Sequence, residues 1–170
     1  TNAIIGQIGL PLSRTGLVTT KGFRDLIEIG RQIRPDPYDF FTDKPRPLVP
    51  GVLRKEVRER LGSDGGVLEP LDEEDARRAV RELKREHVDA VAVCTLFSFL
   101  NPKHEKRIGQ IIVEELPAAT ISLSHEVLPQ FREYERITTT VISAALAKIV
   151  KTYISNFKEK LGNLGLSCDL

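Results

Sequence analysis

Two histidine–glutamate pairs, His104-Glu105 and His125-Glu126, are the first places where this chain could gather reactive side chains. Zinc on a helix would need a second histidine four residues after the first, so that both imidazoles share one face. Those positions hold Ile108 and Pro129. The spacing fails, no metal site is expected, and His104 is read as a solvated residue in the first turn of a helix. Ser63-Asp64-Gly65-Gly66-Val67 has the composition of a phosphate-gripping loop. Such loops lead into a helix N-terminus, whereas a strand follows here, so a hairpin is expected. Thr19-Thr20-Lys21-Gly22-Phe23-Arg24 lies between a strand and a helix, where free N–H groups and hydroxyls can receive an oxyanion. The same residues are also the ordinary vocabulary of a helix start. Arg132-Glu133-Tyr134-Glu135-Arg136 with Thr138-Thr139-Thr140 opens a long helix. It suits either a solvated face with weak ion pairs or a polar cluster that positions substrate in a cleft. No nucleophile with its base and orienting acid can be assembled, and no G-x-S-x-G elbow is present.

The elements that must carry these residues follow from periodicity. Gly16 to Thr20 is a β-prone run, and Phe23, Leu26, Ile27, Gly30 and Ile33 then recur at helical spacing until Pro35 and Pro37. Five prolines from Pro35 to Pro50 force an extended segment. Leu53, Val57 and Leu61 among charges predict a strand with one wet face, returning through the glycine turn as Val67 to Leu71. Asp72 caps a helix whose apolar edge is Ala76, Ala79, Val80, Leu83 and His87, with Asp75 placed to reach back to the cap. Ala90 to Phe97 is continuous β sequence, the pattern of a strand covered on both faces. Asn101-Pro102 opens the next helix, with Ile108, Ile111, Ile112 and Leu116 inward, and Thr120 to Ser124 is a further strand. From Arg132, a stripe of Ile137, Val141, Ala144, Ala145, Ile149, Tyr153, Phe157 and Leu161 predicts a helix of roughly 30 residues, about 45 Å long. The expected fold is α/β: a mixed sheet with a β-β-α-β-α-β segment and a long C-terminal helix. Its expected parts are a strand-helix segment with a Pro-rich linker over 1–50, the β-β-α-β-α-β subdomain over 51–129, and the long helix with an unfinished tail over 130–170.

Composition narrows the function classes. Among 170 residues, 25 Lys plus Arg face 24 Asp plus Glu, so no cationic excess exists to hold a nucleic acid backbone. No run approaches the ~18 apolar residues that a membrane span needs. Cys94 and Cys168 make no disulfide framework. A soluble protein of a reducing compartment, the cytoplasm, is expected. The chain has no Met and opens on Thr1-Asn2-Ala3, which points to a processed start or a piece of something larger.

Four strings carry a resemblance, in order along the chain. They are Gly16 to Gln32, Asn101-Pro-Lys-His-Glu105, Ser122-Leu-Ser-His-Glu-Val-Leu-Pro129, and Arg132 to Arg136 with Thr138-Thr139-Thr140. Together they resemble the N-terminal region of the hydantoinase A / 5-oxoprolinase / acetone carboxylase family. The resemblance implies an ATP-dependent enzyme that uses a divalent metal, Mg, to phosphorylate an amide or enolate oxygen of a small molecule. Hydrolysis of a cyclic amide follows, or carboxylation of a ketone. It also implies an actin-like, sugar-kinase-like nucleotide fold and a second subunit of the hydantoinase B type. The family's phosphate motif, D-x-G-G-T-F-T-D, is absent here, and Asp64-Gly65-Gly66 lacks the following Thr. The fragment alone is therefore expected to bind no ATP and to be inactive, with the remainder of the subunit as its partner. Within the matched strings, Thr20, Lys21, Arg24 and Arg31 are candidates for phosphate contact, the arginines favoured for their planar fork. Glu135, Arg136 and Thr138 are candidates for substrate contact. A non-catalytic docking module is the rival reading. Lys148, Lys151, Lys158 and Lys160 interrupt the second apolar stripe it would need.

Overall fold

The protein is seen in a computed structural model that describes residues 11–33, 36, 38–39, 41–43 and 45–164. Gly6 and Gly9, Pro35 and Pro37, and Cys168 with the tail after Leu164 lie outside the described residues. Four parallel strands form the main sheet: β1 (Thr15–Thr20), β2 (Arg54–Val57), β5 (Ala90–Cys94) and β6 (Thr120–Leu123), in spatial order β2-β1-β5-β6. Every residue of β1 and of β5 is buried. That is why both read as unbroken runs: a strand covered on two faces has no wet side to alternate with. Antiparallel pairing is confined to a separate hairpin, β3 (Arg60–Leu61) and β4 (Val67–Glu69), closed where Gly62 N–H meets Gly66 O at 2.8 Å.

Helices α2 (Glu73–Arg85) and α3 (Lys103–Glu115) pack against each other over one face of the sheet, and α5 (Glu133–Asn163) lies along β5, β6 and β1 on the other. Gly16 permits the close approach of α2. A Cβ there would stand 2.8 Å from Leu83 Cδ2. The core between these layers includes Leu17, Val18, Val91, Val93, Leu83, Ile108, Ile111 and Ile112, all fully buried.

Several local readings change. The stretch from Leu53 to Leu61 is not one strand. After β2 the Arg58 N–H turns aside to the Asp75 carboxylate at 2.8 Å, and the chain leaves the sheet for the hairpin. Asp72 does cap α2, accepting from Asp75 N–H at 3.0 Å, but the Asp75 side chain serves Arg58 rather than the cap. His87 has left the helix in a left-handed conformation, φ 54°, and is exposed. The helix expected up to Pro35 is only α1 (Leu26–Ile29), ending at Gly30 with φ 58°. Gly30 faces the Tyr134 ring from α5, and a Cβ there would lie 3.6 Å from it. Helix α5 has two halves. Ile137, Val141, Ala144 and Ala145 enter the core, whereas Tyr153 and Phe157 are 64% and 40% exposed, stacked on each other at 6.2 Å.

Candidate functional site

Parallel strands end together, and here they end at a switch of direction. The chain leaves β1 towards β2 on one side and leaves β5 towards β6 on the other. Open α/β sheets bind ligands outside the carboxyl ends of two such strands. The residues there are Thr19 and Thr20 from β1 and Cys94 from β5, with Thr95 and Leu96 just after it. The Thr19 hydroxyl donates to Cys94 O at 2.8 Å, and Leu96 N–H donates to Thr20 Oγ1 at 3.0 Å. Thr20 Oγ1 in turn donates to Glu59 Oε1, and Glu59 Oε2 meets His104 Nδ1 at 2.7 Å. Glu59 and His104 are both buried. His104 is thus not the solvated first-turn residue read from sequence. The helix starts at Lys103, and its first turn faces inward over β1 and the loop after β2.

A second carboxylate sits beside this one. Glu105 Oε1 accepts from Thr95 N–H at 2.9 Å and from the Ser124 hydroxyl at 2.6 Å. Its Oε2 accepts from His125 N–H at 3.0 Å and from His125 Nδ1 at 2.7 Å. Burial opposes the charge on Glu105, yet these donors prevail and hold its carboxyl below the ordinary value. An ionised Glu105 makes His125 Nδ1 the donor, and Nε2 is left buried without a hydrogen-bond partner. Ser124 spends its proton on Glu105, so the Ser98 hydroxyl donates to Ser124 Oγ at 3.1 Å. Ser124 belongs to a single turn, α4 (Ser124–Val127), that follows β6 directly.

From the opposite face, α5 inserts Arg136, whose side chain is wholly buried. Its Nη2 donates to Thr95 O and lies 3.4 Å from Cys94 Sγ, and the Phe99 ring covers the guanidinium at 5.3 Å. Burial pushes the Cys94 thiol up to about 11, outweighing the pull of Arg136, so it is no thiolate nucleophile at neutral pH. Among the described residues, no three His, Cys, Asp or Glu side chains group to hold a metal ion. The arrangement is suited to orienting an imidazole for proton transfer and to presenting guanidinium donors.

The seven candidate residues fall in different places. Thr20 and Arg136 belong to the strand-end network. Lys21 and Arg24 are on the exposed loop after β1, where Gly22 N–H and Arg24 N–H donate to Glu56 Oε1 at 2.8 and 3.3 Å. An internal carboxylate thus occupies the N–H groups that the sequence offered to an oxyanion. Arg31 pairs with Glu135 at the surface, beside a cavity of ≈ 390 Å³ between α1 and Tyr134. The Thr138 hydroxyl bonds back to Tyr134 O at 2.8 Å within α5. In the sequence Glu105 and His125 stand out only as members of pairs that fail the zinc spacing, and Glu59, Thr95 and Ser124 do not stand out as site residues. Thr95 and Ser124-His125 directly follow β5 and β6, Glu59 stands two residues after β2, and Glu105 lies in the first turn of α3, so the available signal is position at strand ends and at a helix start.

Across known proteins, the sequence pattern of the hydantoinase/oxoprolinase N-terminal region matches residues 1–116. The chain belongs to that family. This hydantoinase/oxoprolinase-family chain is 35% identical over 166 residues to caprolactamase subunit alpha of Pseudomonas jessenii, covering 96% of the chain and 23% of that protein. It is 38% identical over 161 residues to the acetophenone carboxylase gamma subunit of Aromatoleum aromaticum, covering 87% and 22%. In structure it superposes on the ATP-dependent caprolactamase of P. jessenii with TM-score 0.89 at 33% identity, over 99% of the chain and 25% of that protein. The family chain therefore spans about a quarter of the length of these relatives. The family pattern ends at Leu116, so His125 and Arg136 lie beyond it but within the extent of the caprolactamase superposition.

Proposed function

We propose that this chain is part of the catalytic subunit of an ATP-dependent hydrolase of small cyclic amides, of the hydantoin or 5-oxoproline type. The superposition on an ATP-dependent caprolactamase over nearly the whole chain carries the reading. The complete enzyme would take ATP and Mg, work beside a hydantoinase B-type subunit and act on a small-molecule substrate. The residues described here do not fit a triphosphate. Gly65 N–H and Gly66 N–H are already bonded to Gly62 O and Asp64 Oδ1 at 3.0 and 2.9 Å, and the loop after β1 is filled by Glu56. No step of phosphoryl transfer is assigned to this chain. Its own contribution is the strand-end network, which holds His125 through Glu105 and Arg136 through Thr95.

A second reading, a ketone carboxylase, is favoured by the 38% identity to the acetophenone carboxylase subunit. The deciding experiment purifies the complete subunit with its partner and assays ADP release with Mg²⁺. Hydantoin, 5-oxoproline and caprolactam are tested as substrates, alongside acetone and acetophenone with bicarbonate. Amide-dependent ADP release with ring opening is expected. Turnover only with ketone and bicarbonate would replace the first reading by the second. The 170-residue chain alone is expected to release no ADP, and metal-dependent turnover by it would refute that part.

A further inference from the structure

Among the described residues, six side-chain atoms are buried without a hydrogen-bond partner. Ser13 Oγ and Asp89 Oδ1 lie at the amino ends of β1 and β5. The other four, Thr95 Oγ1, His125 Nε2, Arg136 Nε and Arg136 Nη1, belong to three residues joined by one run of bonds at the carboxyl ends. Arg136 Nη2 donates to Thr95 O, Thr95 N–H donates to Glu105, and Glu105 accepts from His125.

Arg136 is the centre of this group. It is 0% exposed, and among the described residues no carboxylate pairs with it. The nearby acid, Glu105, is committed to Thr95, Ser124 and His125. One N–H on Nε and two on Nη1 remain, and the Phe99 ring offers a cation–π face but no acceptor atom. A buried, uncompensated guanidinium is strongly unfavourable. The start of α5 adds positive potential, since its cap residue Arg132 makes no side-chain cap bond, partly offset by Glu133 and Glu135 in the first turn. The Thr95 hydroxyl is a further free donor. Donors in excess around one fixed charge call for a group with a negative charge and at least two acceptor oxygens.

We propose that the carboxyl end of β5 and the first turn of α5 form a binding site for a small oxyanion group, a carboxylate or a phosphoryl. Arg136 Nε and Nη1 hold it together with the Thr95 hydroxyl. The site goes beyond the cyclic-amide reading, because it recognises the oxyanion whether the complete enzyme hydrolyses or carboxylates. Acetate and inorganic phosphate, each titrated into the ¹³C,¹⁵N-labelled chain at constant ionic strength, separate the two sources. The signals followed are Arg136 Nε–H and the Thr95 methyl.

A saturable shift of both signals is expected with at least one anion. Arg136→Lys should raise the dissociation constant about tenfold, since a point charge replaces the planar fork, and Arg136→Met should abolish the shift at Thr95. Thr95→Val guards against a folding artefact. It removes a hydroxyl that is unpartnered in the free protein, so it should leave the melting temperature near wild type while weakening binding several-fold. Arg107→Met, at a surface pair with Glu73, should change nothing. Non-saturating shifts common to the surface arginines would overturn the proposal. So would an Nε–H that cross-relaxes with internal water and ignores both anions, or undiminished binding in Thr95→Val.

Discussion

Glu105 and His125, the inner members of two separate histidine–glutamate pairs, meet at 2.7 Å between carboxylate Oε2 and imidazole Nδ1. One sits in the first turn of α3 and the other in the turn after β6, and both are brought inward where adjacent parallel strands end. The contact fixes the imidazole tautomer, and the same carboxylate ties down the Thr95 N–H and the Ser124 hydroxyl.

Replacing Glu105 with Gln should destabilise the fold by about 2–4 kcal/mol at pH 7, because an amide cannot accept all four of these bonds. The folded carboxyl lies below its ordinary 4.5, so its stabilising contribution is complete above that value and is lost as pH falls through the folded pKa. Urea denaturation should show the gap between wild type and Glu105→Gln narrowing in acid. A gap that stays constant down to pH 3 would contradict the assignment.

Cys94 should be inert to thiol reagents at pH 8 while the protein is folded, given a thiol pushed up to about 11 by burial. In a Cys168→Ser background, alkylation should track global unfolding in urea. Fast modification without unfolding would show an open strand end.

Gly16→Ala should cost about 1–3 kcal/mol, since the new methyl would approach Leu83 Cδ2 at 2.8 Å within a filled core. Paired with Leu83→Ala, which alone should cost about 2–5 kcal/mol, the double variant should lose clearly less than the sum. Strict additivity in thermal melts would argue that α2 does not press on β1 here.

The two halves of α5 should respond differently. Ile137→Ala removes a buried side chain under β5 and should cost about 2–5 kcal/mol, whereas Tyr153→Ala, on the exposed half, should stay within about 0.5 kcal/mol. Amide exchange should be slow up to Ala145 and fast after Val150. Equal protection along the helix would show that the distal half is covered.

The sequence was legible where structure is local. The Asp72 cap and the glycine hairpin follow from spacings within a few residues and form as read, and the run from Ala90 to Phe97 forms a strand as far as Cys94. Where two elements compete for one backbone group, the sequence was silent. Asp75 bonds Arg58 rather than its own cap, and Gly30 ends α1 to admit Tyr134.

By itself, then, the sequence determined the order and type of the longer elements, the buried faces of α2, α3 and β5 and the family they resemble, because apolar periodicity and capping are written in neighbouring residues. Only the tertiary structure decided the site. Glu59 meets His104 across 45 positions and Arg136 meets Thr95 across 41. A buried charge tolerates few partners, and which ones reach it depends on strand order and on the helix face that closes over the strand ends.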